Sequence, residues 1–186
     1  MDVIALIRHE TNAAYAWIDN IVSDINHAQA NWQPPGTANN IAATYAHALI
    51  SADVDLNRHF YGRTPIISGE WGSRVGLHDL FPDDFASRGE IRWDDLHQYG
   101  IEVTRCVGAL VEALTLDTLS RNFEMTATVA GEPVSLGIWK GIDIYRLHGW
   151  SHIRMHGGEI ACLKGMQGLT GYRRLSSRYE LGQGWE

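Results

Sequence analysis

The sequence predicts an all-α chain: a four-helix bundle of the up-down type, with a long crossover between helices 2 and 3 and a small β-hairpin before helix 4. Three observations predict it. Four long stretches carry apolar residues at alternating three- and four-residue spacing, which places them on one face of a helix. The segments between them are rich in proline and glycine, which interrupt helices. Histidines fall on the inner face of the second and fourth stretches, where helices meet.

The first helix is expected over about Asp2–Ile25. Ile4, Ile7, Thr11, Ala14, Ile18, Ile21 and Ile25 form its seam, and Asp2 can cap its start. Asn31–Asn40 is a break around Pro34, Pro35 and Gly36, with Thr37 or Asn39 as the next cap. The second helix reads from Ala38 to Tyr61, with Ala43, His47, Ile50, Val54, Asn57 and Tyr61 facing inward. Gly62–Gly89 is a long connection holding five glycines and two prolines. Its Leu77, Leu80, Phe81 and Phe85 suggest an apolar turn that packs on the helices, either roofing a pocket or serving as an ordinary crossover.

The third helix is expected over Trp93–Leu114, with Leu96, Tyr99, Val103, Cys106, Leu110 and Ala113 as its seam. Cys106 then points inward, as a small hydrophobe or as a neighbour of a metal. Phe123–Leu136 alternates apolar and polar residues around Ala130–Glu132, the pattern of a hairpin. The fourth helix covers Asp143–Lys164, with Ile142, Tyr145, Gly149, His152, His156, Ile160 and Leu163 on one face and Gly165 as its stop. Gly157 and Gly158 inside it each cost about 1 kcal/mol relative to Ala, which points to close backbone approach or clearance, or else to fraying. Residues 1–168 read as one domain, and 169–186 as an irregular tail packed on it.

Composition narrows the function classes. The chain has 186 residues, with 15 basic against 22 acidic residues and a net charge of −7. A nucleic-acid footprint wants a basic stripe, and Arg173, Arg174 and Arg178 do not make one. No run approaches the roughly 20 apolar residues of a membrane span, and the start of the chain carries no signal-peptide pattern. Two cysteines, Cys106 and Cys162, without a C-x-x-C, fit reduced thiols and a cytoplasmic protein. Apolar residues of the first helix off its seam, Ala5, Leu6, Trp17 and Val22, suggest a homodimer unless the long connection covers them.

The chemistry-bearing stretch is DIYRLHGWSHIRMHGGEIACLK, in which His148, His152 and His156 recur every fourth residue. Imidazoles one turn apart on a helix can close on one metal ion, with Zn–N bonds of about 2.0–2.1 Å. The zincin motif H-E-x-x-H is absent, because Ile153 follows His152. Taken alone, an inward His47 reads first as a core histidine. With His152 and His156 it makes a three-nitrogen set that leaves a fourth position open, the pattern of catalytic rather than structural zinc.

These segments resemble the DinB/YfiT-like superfamily of bacterial metal-binding four-helix bundles. Trp32-Gln-Pro-Pro-Gly36, followed by Ala38-Asn-Asn-Ile-Ala-Ala-Thr-Tyr-Ala-His47, is similar to that family's loop and ligand-bearing second helix. His152-Ile-Arg-Met-His156-Gly-Gly158-Glu159-Ile160 is similar to its H-x3-H-x-G-[Q/E]-I motif, and Leu163-Lys-Gly-Met-Gln-Gly168 to the exit from that helix. The resemblance spans Asp2 to Gly168. It selects His47, His152 and His156 as ligands over His148, because the motif's second histidine stands two residues before its glycine, here Gly158. Gly62–Gly89 and the hairpin look like elaborations that the pattern does not cover.

The resemblance implies a divalent metal, zinc or nickel, and an S-transferase or isomerase that works with a low-molecular-weight thiol such as mycothiol or bacillithiol on a small-molecule substrate. No residue is assigned as general base; Glu159 is expected to support a ligand. Two other readings stand beside it. One is a metal-dependent hydrolase, for which Asp53, Asp55 and Glu159 are candidate carboxylates, none of them clearly inward. The other is a non-catalytic, stress-related binding module with a structural metal.

Overall fold

The computed structural model describes residues 2–77, 91–129 and 132–171. It is mostly helical, with a two-stranded antiparallel hairpin. Helix α1 spans Val3–Val22 and begins where Asp2 accepts the Ala5 N–H at 2.7 Å. Its buried residues include Ile7, Thr11, Ala14, Ile18 and Ile21, the expected seam. The helix ends sooner than its pattern, and one-turn α2 (His27–Ala30) follows behind an Asn26–Gln29 capping box.

Helix α3 covers Ile41–Asp53. Its cap is Asn40, which accepts from Ala43 N–H at 2.8 Å, rather than Thr37 or Asn39. The helix is buried all round: every residue except His47 is buried. The expected inner face is therefore not set apart by burial, and His47, expected on it, is the one α3 position that reaches partly out. A π-helical segment, Val54–Phe60, continues α3. A π turn takes more residues than an α turn, so it rotates the faces of the chain beyond Asp53.

After Gly62 the chain passes through a 3₁₀ turn (Ile66–Ser68) and α4 (Glu70–Val75), which Gly76 ends at φ 88°. Leu77 is buried, as expected of the apolar turn; Leu80, Phe81 and Phe85 lie outside the described residues. Helix α5 spans Trp93–Glu112 and buries Leu96, Tyr99, Val103 and Leu110. Cys106 is half-buried and Ala113 is exposed. Short α6 (Leu116–Ser120) leads into β1 (Asn122–Val129) and β2 (Glu132–Lys140), longer strands than the expected hairpin, with an irregularity between Met125 and Thr126. The final helical run begins at α7 (Gly141–Ile144), passes through a second π-helical segment (Tyr145–Ser151) and ends as α8 (His152–Met166).

Contacts along these helices fix their directions. Arg8 donates to the Val111 and Glu112 carbonyls and Trp93 Nε1 to the Ile25 carbonyl, so α1 and α5 run antiparallel. Tyr99 meets Asp53, Cys106 meets Asn57, and Tyr61 donates to Leu110, so α5 runs parallel to α3 and its continuation. Arg154 pairs with Glu10, and buried Lys164 donates to the Ile21 carbonyl at 2.7 Å and to Asp24; α8 and α1 are parallel. His47 lies against His156 and Phe60 against Tyr145, so α3 and α8 are antiparallel. The order is therefore up, down, down, up. Parallel neighbours cannot be joined by a tight turn, which is why the crossover after Gly62 is long.

The glycines of α8 differ in kind. A Cβ on Gly157 would sit 2.4 Å from the Trp17 ring, whereas one on Gly158 would meet nothing within 4 Å. Gly157 therefore gives clearance to an α1 side chain rather than to a metal. Trp17 and Val22 are also withdrawn from the surface expected to dimerise: Val22 is buried, and Trp17 packs on the core. Among the described residues no helix is long and apolar enough to cross a membrane.

Candidate metal centre

The antiparallel crossing of α3 and α8 brings His47, His152 and His156 together. One ligand atom from each lies within 4.8 Å of the others, and among the described residues this is the group of His, Cys, Asp or Glu side chains that can hold a metal ion. Ring centroids stand 4.3 Å apart for His152 and His156, 5.0 Å for His47 and His152, and 4.9 Å for His47 and His156. The spacing of four residues stacks His152 and His156 on one face of α8.

The donor set fits a divalent cation. His156 Nε2 and His152 Nε2 approach to 3.0 Å. Two Zn–N bonds at a tetrahedral angle would hold their nitrogens about 3.3 Å apart, so a small opening of this pair admits the ion. His156 Nδ1 lies 2.6 Å from Glu159 Oε2. That contact sets the tautomer: the proton stays on Nδ1 and Nε2 keeps its lone pair toward the cluster. Glu159 thus braces the His156 ring from one turn away.

The electrostatics favour the ligand form of the rings. Burial, followed by the neighbouring His156, His47 and His148, pushes His152 down to about 3. Burial and then His156 also lower His47. Neutral imidazole is what a metal binds. His152 Nδ1 is buried without a hydrogen-bond partner among the described residues.

His148 stands one turn before His152, with ring centroids 5.9 Å apart, and is outside the three-membered group. Its Nδ1 lies 3.0 Å from Asp55 Oδ2, and His59 Nε2 lies 3.8 Å from Asp55 Oδ1. The Asp55 and His148 side chains are 13% and 12% exposed. Asp55 thus faces inward, contrary to its expected orientation, because the π segment turns it there. Asp55 and His148 belong to the two π-helical segments, which face each other beside the histidines. Such segments are frequent at functional sites.

Asp53 is inward too, but as a saturated anchor. It is fully buried and accepts from Asn57 Nδ2, Tyr99 Oη and the Ile66 and Ile67 N–H groups at 2.7–2.9 Å. All four donors are spent on holding the crossover to α3 and α5, which leaves Asp53 no role at the histidines. Cys106 Sγ is 3.6 Å from the Asn57 amide and is not a member of the histidine group.

No protein-family model matches the chain, and no curated protein matches it.

Proposed function

We propose that the protein is a metal-dependent enzyme: a four-helix bundle in which His47, His152 and His156 hold zinc or nickel, acting on a small-molecule substrate together with a low-molecular-weight thiol. The observation that carries the metal is the convergence of three imidazoles within 4.8 Å, one of them braced by a carboxylate at 2.6 Å. The mutual packing of α1, α3, α5 and α8 supports the bundle. The thiol rests on the resemblance of the His47 and His152–Ile160 segments.

A bound divalent ion would supply a Lewis acid at which a thiol loses its proton and becomes a nucleophile. The chain's own residues do the rest. Three neutral nitrogens leave one position for a fourth group. Glu159 keeps His156 in the ligand tautomer. The half-buried rings of His47 and His152 form the side of the cluster that solvent reaches. A homodimer belongs to the same proposal and would use Val3 and Leu6, each 44% exposed.

Metal-assisted hydrolysis is the second reading, and the Asp55–His148 pair favours it. The pair puts a carboxylate 3.0 Å from an imidazole nitrogen, at ion-pair distance though without hydrogen-bond alignment, one turn from the cluster, where a proton acceptor is needed.

Cobalt substitution tests the two against each other. The proposal expects a thiolate-to-metal charge-transfer band when a small thiol is added to the cobalt-loaded protein, lost in His47→Ala. An unchanged spectrum with thiol would remove the thiol reading and leave hydrolysis to be assayed. Failure to take up cobalt would remove both, leaving a helical binding module.

A further inference from the structure

The opposite interface of the molecule, between α1 and α5, holds a cavity of about 170 Å³. Thr11, Asn12, Tyr15, Asp19, Thr104 and Gly108 are among its lining residues. Four of these carry a buried side-chain oxygen without a hydrogen-bond partner among the described residues: Thr11 Oγ1, Tyr15 Oη, Asp19 Oδ1 and Thr104 Oγ1. Thr11 and Tyr15 are 1% and 2% exposed. Folded proteins pair nearly all their buried polar atoms. Four unpaired oxygens on residues around one space leave hydrogen-bonding capacity that nothing among the described residues takes up.

The donor and acceptor inventory says what guest. Each of the three hydroxyls can donate or accept, while the carboxylate oxygen only accepts. Asp19 is the charged group in the lining, with no Lys, Arg or His beside it there. Burial raises the Asp19 carboxyl, with His97 as the opposing influence. Burial also raises Tyr15, so its hydroxyl keeps its proton. Exposed Asn12 and Ala16 stand in the lining on the solvent side.

We propose that the α1–α5 cavity is a binding site for a small molecule bearing a primary ammonium group, with Asp19 as its counter-charge and Thr11, Tyr15 and Thr104 as its hydrogen-bond partners. An ammonium presents three donors, enough for the carboxylate and two of the hydroxyl oxygens, which leaves the third hydroxyl for a polar group elsewhere on the same molecule. A neutral polyol would leave the carboxylate uncompensated, and an anion would be repelled by it. At roughly 30 Å³ per water molecule, the space suits an amine of a few heavy atoms. The site is built on α1 and α5, whereas the histidines are on α3 and α8, so it stands or falls apart from the metal.

The test is a titration of the full-length protein with ethanolamine, ethylene glycol and acetate at constant ionic strength. The readout is NMR shifts of the Thr11 and Thr104 methyl groups and the Tyr15 ring. The proposal expects saturable shifts with ethanolamine, roughly tenfold or more tighter than with ethylene glycol, and none with acetate. Asp19→Asn should weaken ethanolamine by about tenfold. Gly108→Leu, at a position where a Cβ meets nothing within 4 Å, should fill the space and abolish binding while leaving the helical circular dichroism intact. Non-saturating shifts, equal affinity for ethanolamine and ethylene glycol, or undiminished binding in folded Gly108→Leu would overturn the proposal, even if Asp19→Asn fails to fold.

Discussion

Replacing Asp53 by Asn is the sharpest probe of how the crossover is held. The substitution keeps size and shape, so no cavity term enters. In the native chain Oδ1 accepts from Asn57 Nδ2 and Ile66 N–H, and Oδ2 from Tyr99 Oη and Ile67 N–H. An amide offers one acceptor atom and one donor atom. Whichever way it is turned, its NH₂ faces a backbone N–H that cannot reverse its role. With the NH₂ at the Oδ2 position, the Tyr99 hydroxyl can rotate to accept, but Ile67 N–H is orphaned. Losing a hydrogen bond to a charged group costs about 1.5–3 kcal/mol, and a buried orphan donor about 1–3 kcal/mol. The expected loss is about 3–5 kcal/mol, a large part of the roughly 5–15 kcal/mol that stabilises a typical domain. At about 2–4 °C per kcal/mol for a chain of this size, the melting temperature should fall by about 10 °C. Urea unfolding followed by circular dichroism measures it, with an unchanged m-value as the sign that only stability moved. Tyr99→Phe removes one donor to the same carboxylate and should cost about 1.5–3 kcal/mol. Asp53→Asn within about 1 kcal/mol of wild type would refute the reasoning.

Three further outcomes are expected. Gly157→Ala should destabilise by about 1–3 kcal/mol through the Trp17 clash, whereas Gly158→Ala should stabilise by up to about 1 kcal/mol; thermal melts read the opposite signs at adjacent positions. Metal-free protein should lose stability as pH falls from 7.5 to 5.5. His152, His47 and His59 are all lowered from 6.5 in the folded state, so below that value the unfolded chain takes up protons that the folded chain refuses. A flat or rising melting temperature over that range would contradict the shifts, and His152→Gln should shallow the slope. Glu159→Gln should weaken zinc about 10–100-fold by loosening the tautomer of His156, measured by competition with a chromogenic chelator; unchanged affinity would make Glu159 a surface residue.

Much of the site was legible because it rests on local repetition. The four-residue spacing of His152 and His156 survives into α8, and Glu159 three residues on reaches back to His156. The α1 seam was legible because that helix has one buried face. The second helix was harder: α3 is buried on every side, so periodicity could not show that His47 is its one partly open position. The π segments carry no sequence signature, so a uniform α period did not place Asp55 inward, while Asp53 is inward because α3 is buried on nearly every side. The pairing of Trp17 with Gly157 and the donors on Asp53 come from segments far apart in the chain, which local pattern cannot join. The up, down, down, up order likewise depends on which helices the crossover brings together.

Three histidines from two helices are proposed to hold one metal ion. Elemental analysis of the purified protein tests this most directly, for wild type and for His47→Ala, His152→Ala and His156→Ala, with His148→Ala as the control one turn away. About one zinc or nickel per chain is expected, lost in the three histidine variants and kept in the control. Full occupancy in those three variants, or no metal in wild type after reconstitution, would contradict the proposal.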